Sequence, residues 1–299
     1  MAEAEQRPGL LPREMASFIA GQVSFSAGLS VAYPLDTIKV RMQTVAGAAE
    51  GGMLAVARNM VATQGLRGFY NGLTSPLLGY GMAGAVAFSG NDWATRFLKR
   101  WRSGAASDAE AKDTHLSFSD AFMAGAFAGF VNNVPRTIVD RLKTVAQVQG
   151  VTTPQAVRYI LHHQGVQGLL DGFGVTMVRE VPQFGIYFST FAAFMLAITP
   201  ESGERPPSWQ VAGVGALAGV IQWLPPLYCV DVVKSRLQGA PVGTYSSMRH
   251  CAESLYAEHG WRVFVRGLGP TIIRGLPLHA TTFLTYETLM RVLSDGAAR

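Results

Sequence analysis

The sequence predicts an all-α membrane protein with six transmembrane helices, arranged as three homologous two-helix repeats with threefold pseudosymmetry. Apolar residues make up 48% of the 299 residues and charged residues only 15%, whereas an average soluble domain carries about 25% charged residues. Long uncharged stretches recur along the chain, and short motifs at their ends recur at a regular spacing. Such a period is the mark of a protein built from repeated units.

Four stretches without a charged residue are each long enough to cross a bilayer as a helix, which takes about 20 residues. They are residues 15–35, 68–91, 181–200 and 206–230. Two further candidates carry one charge each, since residues 117–135 contain Asp120 and residues 267–286 contain Arg274. Buried helices of a soluble protein can imitate one or two such stretches but not this many. We therefore predict six spans.

Two motifs mark the repeats. The first motif, Asp-x-x-Lys followed four residues later by Gln, closes each odd-numbered span. Its copies are Asp36, Lys39 and Gln43; Asp140, Lys143 and Gln147; and Asp231, Lys234 and Gln238. The second motif opens each even-numbered span with a glycine, at Gly72, Gly172 and Gly267. Together they predict one domain over residues 1–299, with repeats at about 14–104, 116–199 and 208–295.

A shorter amphipathic helix is predicted between the two spans of each repeat, over residues 53–63, 154–163 and 247–259. Helices of this kind lie flat at a membrane face. Polar linkers at residues 105–115 and 199–207 join the repeats. The short helices and the linkers are therefore expected on opposite sides of the membrane.

Residues 34–43, PLDTIKVRMQ, resemble the signature of the mitochondrial carrier family. The resemblance covers residues 14–293 in all three repeats, and residues 76–79, 177–182 and 234–245 are similar to the branch of carnitine/acylcarnitine and ornithine or basic amino-acid carriers. It implies a monomeric, multi-pass antiporter of the mitochondrial inner membrane that exchanges a small molecule by alternating access. It also implies membrane lipids as partners, with cardiolipin as a bound lipid.

The three Asp-x-x-Lys motifs place both charges of each copy on one helix face. A local surface ion pair is the alternative, but charges at the ends of apolar spans are costly unless they are paired. We therefore predict a ring of ion pairs between helices, which closes a central cavity at one end. We call these six side chains the gate ring. The resemblance makes it the matrix-side gate, with Gln43, Gln147 and Gln238 as its braces.

Proline should kink each odd-numbered span before the gate ring, because proline removes a backbone donor and crowds the preceding turn. Pro34 occupies the position of the family signature. The corresponding positions of the other repeats hold Ile138 and Cys229, and a proline stands three residues earlier in each case, at Pro135 and Pro226. Displaced kinks are expected in repeats two and three.

The cytoplasmic side carries a thinner charge network than the family pattern. Acids stand at Asp92 and Glu287, but Thr95 and Met290 occupy the basic positions, and Ala192 replaces the acid of repeat two. A weak gate is expected on that side. The unliganded protein should then favour a state open to the cytoplasm.

Three charged residues of the spans do not follow the threefold pattern: Arg179, Glu180 and Arg274. Repeat one has the neutral Gly79 where repeats two and three have the two arginines. A structural ring would keep its charge in every repeat, whereas a substrate is asymmetric. Charges within a membrane mark substrate pathways by default, and a structural Arg–Glu pair is the alternative.

The two guanidiniums suit a carboxylate, and Glu180 suits an ammonium group, so a small zwitterion is predicted. Tyr80 and Gly84 complete the predicted substrate site with an aromatic face and free space. The resemblance implies a further acid in the second span of ornithine and basic amino-acid carriers, and because this wall has none, carnitine or acylcarnitine is preferred. A carrier for a basic or other amino acid, ornithine-like, is the alternative.

Other functions find little support. Gly79–Gly84 spells a dinucleotide-type glycine string, but it lies inside an uncharged span and is better explained by helix packing. No catalytic or metal-binding motif occurs, so neither an enzyme nor a metal site is predicted, and no basic stripe points to nucleic acid. Two different classes stay open: a soluble helical-repeat adaptor and a carrier-like membrane scaffold that transports nothing.

Overall fold

The computed structural model describes residues 13–44, 51–105, 107–108, 110–111, 116–200, 206–241 and 243–294. These ranges are helical and contain no β-strand. Their α-helices are α1 (Arg13–Thr44), α2 (Gly52–Gln64), α3 (Thr74–Ser103), α4 (Phe118–Gln149), α5 (Thr153–Gln164), α6 (Phe173–Ile198), α7 (Ser208–Ile221), α8 (Leu227–Gly239), α9 (Met248–His259) and α10 (Leu268–Ser294). A short 3-10 helix follows α2, α5 and α9 alike, so the threefold repetition of the sequence is also a repetition of structure.

The short helices α2, α5 and α9 begin and end within one residue of their predicted bounds. Each buries two apolar side chains against the helix of its own repeat that carries the Asp-x-x-Lys motif, and these side chains are four residues apart in every case. The pairs are Val56 and Met60, Ala156 and Ile160, and Cys251 and Leu255. This spacing is that of one narrow helical stripe, which fixes the short helix at the end of the bundle that carries the gate ring.

The predicted fifth span, residues 206–230, is not one helix. It is divided into α7 and α8, and Pro225 and Pro226 stand in the break. Pro34 and Pro135, by contrast, lie inside the continuous helices α1 and α4. Where a kink is expected at Pro226, the helix is interrupted instead, because two successive prolines remove two backbone donors.

One helical segment of the described chain, residues 166–198, is long and apolar enough by length and composition to cross a membrane. Residues 209–221 form a shorter apolar helix.

Helices α4 and α6 approach each other at two glycines. A Cβ atom at Gly125 would stand 2.5 Å from the carbonyl oxygen of Phe184, and one at Gly129 would stand 2.5 Å from the carbonyl oxygen of Glu180. Only glycine allows backbones this close. The contact sets the position of α6, and with it the positions of Arg179 and Glu180, relative to α4.

The glycines that precede α3, α6 and α10 all have left-handed backbone. Their φ angles are +81° at Gly72, +83° at Gly172 and +82° at Gly267. Each also touches the neighbouring repeat: a Cβ would stand 2.9 Å from Ala146 Cβ, 2.7 Å from Gln238 Cγ and 3.3 Å from Lys39 Cγ, respectively. The sequence motif is therefore explained twice, by backbone conformation and by close packing.

Gly172→Ala is expected to destabilise the protein by roughly 1–2 kcal/mol from the left-handed backbone alone, with a further loss from the clash with Gln238. The measurement is the melting temperature of the purified protein in detergent. Gly174→Ala is the matched control, since Gly174 has no atom within 4 Å of its would-be Cβ and no positive φ. Equal melting temperatures for the two variants would contradict the assignment.

Candidate functional site

The gate ring is closed across three interfaces between repeats. The Nζ–carboxylate distances are 2.7 Å for Lys39 and Asp231, 2.8 Å for Lys143 and Asp36, and 2.5 Å for Lys234 and Asp140. Each pair joins different helices, so the pairs are not local ion pairs within one motif. All six residues are at most 9% exposed. Each lysine reaches the aspartate of the preceding repeat, in one rotational sense around the bundle.

The three glutamines predicted as braces reach in the same sense as the lysines. Their Nε2 atoms donate to Tyr228 Oη at 3.0 Å from Gln43, to Thr37 Oγ1 at 3.0 Å from Gln147, and to the carbonyl oxygen of Asp171 at 3.3 Å from Gln238. All three side chains are buried. They add a hydrogen bond to each interface that a gate-ring ion pair also spans.

Three arginines form a further layer that the sequence argument missed. Their guanidiniums donate to main-chain carbonyls near the ends of α4, α8 and α1: Arg41 to Gln147, Arg141 to Gln238 and Arg236 to Thr44. These carbonyls lie among the last residues of their helices, where carbonyls lack helical partners. Arg41 and Arg236 stand two residues after a gate lysine but Arg141 does not, so the layer is threefold in space without being a motif in sequence.

The predicted substrate arginines lie against the gate ring. Arg179, on α6, places Nη1 2.5 Å from Asp231 and Nη2 3.3 Å from Asp140, and it also contacts the adjacent Glu180. Arg274, on α10, places Nε 3.2 Å from Asp36. Each gate aspartate therefore holds at least one arginine in addition to its lysine. The Arg179–Glu180 pair weighed as a structural alternative is present in this state.

Arg136, on α4, is a member of this cluster that the sequence argument missed. Its Nε lies 3.1 Å from Asp140 and 3.6 Å from Glu180. Its guanidinium carbon lies 4.2 Å from the ring centre of Tyr80. The equivalent position of repeat one is Ala32, so the same test of asymmetry that singled out Arg179 would have found it.

Tyr80 is in the cluster, and Gly84 is not. The hydroxyl of Tyr80 donates to Asp140 Oδ1 at 2.8 Å, and its ring faces Arg136. Gly79, the neutral residue of repeat one, packs against Val139. Gly84 has no atom within 4 Å of its would-be Cβ. The aromatic face expected for a substrate cation is thus occupied by Arg136.

The cluster has more positive than negative side chains. Its cations are Lys39, Lys143, Lys234, Arg136, Arg179 and Arg274, and its carboxylates are Asp36, Asp140, Asp231 and Glu180. The excess is two charges, which favours an anionic group as a ligand. Trp223, in the break between α7 and α8, covers the cluster, with its ring centre 4.7 Å from Lys39 Nζ and 5.7 Å from the guanidinium carbon of Arg179.

A cavity of about 550 Å³ lies next to the cluster, on the side away from the short helices. Its walls are mostly apolar and aromatic, with Phe88, Phe184 and Tyr187 among them. Arg274 is the one charged side chain among the described residues that line it. A solute that enters this cavity meets a guanidinium at the end that borders the gate ring.

The opposite end of the bundle carries a different kind of ion pair. Asp92 pairs with Arg96 of its own helix at 2.6 Å, and Asp108 of the linker lies 4.0 Å from Arg96 and 3.1 Å from Arg100. These side chains are about half exposed. The side chain of Glu287, the other acid predicted there, lies outside the described residues.

Comparison with known proteins identifies the family. The sequence model of the mitochondrial carrier protein family matches residues 13–101, 114–202 and 204–297. The chain belongs to the mitochondrial carrier family. Carriers of this family are multi-pass proteins of the inner membrane, and so is this chain, which excludes the soluble adaptor.

Individual carriers are similar over most of the chain. The mitochondrial basic amino acids transporter of Homo sapiens is 33% identical, covering 91% of this chain and 89% of that protein. A mitochondrial carrier protein of Saccharomyces cerevisiae is 31% identical over 95% of this chain and 90% of its own length. The glutamate/glycine mitochondrial carrier of Schizosaccharomyces pombe is 27% identical over 94% and 95%.

Proposed function

We propose that this carrier exchanges an amino acid across the mitochondrial inner membrane, with basic amino acids as the first candidates and six spans crossing the bilayer. The observation that carries the proposal is that Arg179 and Arg274 line the same small central cavity beside the gate ring, with Glu180 in contact with Arg179 and the open cavity bordering Arg274. Two guanidiniums suit the α-carboxylate and one carboxylate suits the α-ammonium group. The similarity to carriers named for basic amino acids and for glutamate and glycine supports the same class.

An amino acid replaces carnitine as the preferred substrate. The preference for carnitine depended on the missing acid in the second span, on the wall near Tyr80. This proposal is supported by two carboxylates, those of Asp140 and Glu180, which lie around Arg136 beside that wall. A cationic side chain therefore has acids to bind without one on α3. The similarity to basic amino acid transporters points the same way.

The arginines link substrate binding to the gate ring in this proposal. Arg274 holds Asp36, and Arg179 holds Asp231 and Asp140. A substrate carboxylate that takes either guanidinium competes with these aspartates and weakens the ring. A ligand shifts such an equilibrium only through this difference in affinity between the two states. The closed ring with an open cavity beyond it corresponds to the cytoplasm-open state.

Two further assignments rest on the family resemblance and are part of the proposal: a monomeric carrier and bound cardiolipin. The gate ring is formed within one chain, because its six side chains come from the three repeats. This is consistent with a monomer as the transporting unit.

The test is uptake into proteoliposomes that contain the purified carrier and are preloaded with lysine. We expect saturable uptake of labelled lysine, arginine and ornithine that requires the internal amino acid. Arg274→Ala should reduce this uptake at least tenfold, since truncating one partner of a buried charge pair costs about 2–5 kcal/mol. Arg249→Ala, on the exposed face of α9, is the matched control and should transport normally.

Other outcomes of the same assay point elsewhere. If carnitine is taken up and basic amino acids are not, carnitine becomes the preferred substrate again. Uptake of neutral or acidic amino acids alone would keep the amino-acid class and reject the basic candidates. Failure to transport any of these solutes, by a folded protein in sealed vesicles, would favour the non-transporting scaffold.

A further inference from the structure

Arg136 sits in surroundings that suit a bound cation. Two carboxylates, those of Asp140 and Glu180, lie 3.1 Å and 3.6 Å from its Nε. The Tyr80 ring lies 4.2 Å from its guanidinium carbon. Two carboxylates and an aromatic face are the groups with which proteins recognise a guanidinium or an ammonium group. The side chain is 23% exposed and lines the small central cavity beside the gate ring.

This arginine is not needed to neutralise the gate ring. Asp140 also holds Lys234 at 2.5 Å and Arg179 at 3.3 Å, and Glu180 also holds Arg179. Without Arg136 the cluster still carries one cation more than carboxylates. A third contact to Asp140 therefore adds repulsion among cations as well as attraction. Its position is explained better by a function in binding than by charge balance.

We infer that Arg136 is a built-in occupant of the cation subsite, held by Asp140, Glu180 and Tyr80 until the cationic side chain of a substrate displaces it. This inference rests on the proposed function, since it assigns the side-chain pocket of a basic amino acid. A lysine or arginine substrate replaces one cation by another within the subsite. A neutral amino acid leaves Arg136 in place.

Displacement has a consequence for the gate. Arg136 and Lys234 bind the same carboxylate oxygen, Oδ2 of Asp140. Arg136 is attached to α4, whereas a substrate is mobile. When a substrate cation replaces Arg136, the contact to Asp140 of the gate ring is therefore made by a mobile ligand. The subsite thereby lets the side chain of the substrate influence one of the three interfaces of the gate ring, that of Asp140 and Lys234.

The direct test is chemical rescue of the vacated subsite in the purified full-length carrier. Arg136→Gln should lower the melting temperature in detergent, and millimolar methylguanidine should raise it again by several degrees. Wild type should gain less than one degree, because its subsite is filled. Methylurea, which has a similar shape without the charge, should have no effect on either protein. Arg249→Gln is the matched control, since Arg249 forms the same i, i+4 ion pair at an exposed site.

Transport gives a second readout. The KM for lysine should fall about tenfold in Arg136→Gln, since the substrate no longer competes with a tethered cation, while inhibition by norleucine changes less than twofold. Arg136→Lys keeps a tethered cation in the subsite and should reverse most of this fall in KM. Methylguanidine that fails to distinguish Arg136→Gln from wild type, together with an unchanged KM for lysine, would overturn the inference.

The two proposals fail separately. Rescue by methylguanidine in a carrier that takes up no basic amino acid would keep the cation subsite and reject the proposed substrate. Uptake of lysine by wild type without rescue and without a change in KM would keep the proposed substrate and reject the role of Arg136.

Discussion

Lys143→Ala is expected to slow exchange about a hundredfold or more. Lys143 Nζ lies 2.8 Å from Asp36, and both side chains are buried. Removing one partner of a buried ion pair costs roughly 3–5 kcal/mol. That cost falls on the state with a closed gate ring, so the carrier can no longer pass through it at a useful population. The measurement is the rate of amino-acid exchange in proteoliposomes.

The exchanged pair, Asp36→Lys together with Lys143→Asp, is the control that separates the interaction from the fold. It restores opposite charges across the same interface and should recover part of the lost rate. Recovery is incomplete because Arg274 also binds Asp36 and would face a lysine. If Lys39→Ala, Lys143→Ala and Lys234→Ala all exchanged substrate at the wild-type rate, the gate ring would have no function in transport.

Asp140→Asn is expected to be the most damaging single change among the gate aspartates. Its carboxylate contacts three cations, those of Lys234, Arg136 and Arg179. The variant raises the excess of positive charge in a buried cluster from two to three, and an uncompensated buried charge costs several kcal/mol. We expect both a lower melting temperature in detergent and a loss of exchange.

Two comparisons sharpen this prediction. Asp92→Asn removes an exposed partner of Arg96, and its effect should stay below about 1 kcal/mol. Adding Lys234→Gln to Asp140→Asn should cost less than the sum of the two single changes, since the pair is in direct contact. A loss for Asp140→Asn no larger than that for Asp92→Asn would contradict the assigned contacts.

The residues that the sequence predicted well are those that occur three times. Asp36 and Lys143 could be assigned to a ring because their motif recurs in every repeat, and recurrence identifies equivalent positions without any structure. The same holds for the short helices, whose bounds follow from their period. What recurrence cannot give is the partner: that Lys143 binds Asp36 and not Asp231 depends on the direction in which the repeats are arranged.

The features that the sequence did not predict are those that occur in one repeat only. The lack of charge in residues 206–230 predicts one span and does not reveal the break before α8, although Pro225 and Pro226 mark it in the sequence. Arg136 lies one residue beyond the predicted third span, residues 117–135. Tyr80 lies in the charged cluster, and its aromatic face is occupied by Arg136. Single, asymmetric side chains have no repeat to reveal them, and their contacts depend on packing.

The shared direction of the gate contacts has a consequence for how the chain is connected. Lysine and glutamine of each repeat always reach the preceding repeat, and repeat one reaches repeat three. Head-to-tail contacts of this kind close a ring of identical subunits without any covalent link. The order in which the chain joins the three repeats therefore does not determine whether the gate ring closes. A circular permutant that begins at repeat two and ends with repeat one would contain the same three interfaces, as would a trimer assembled from separate two-helix units.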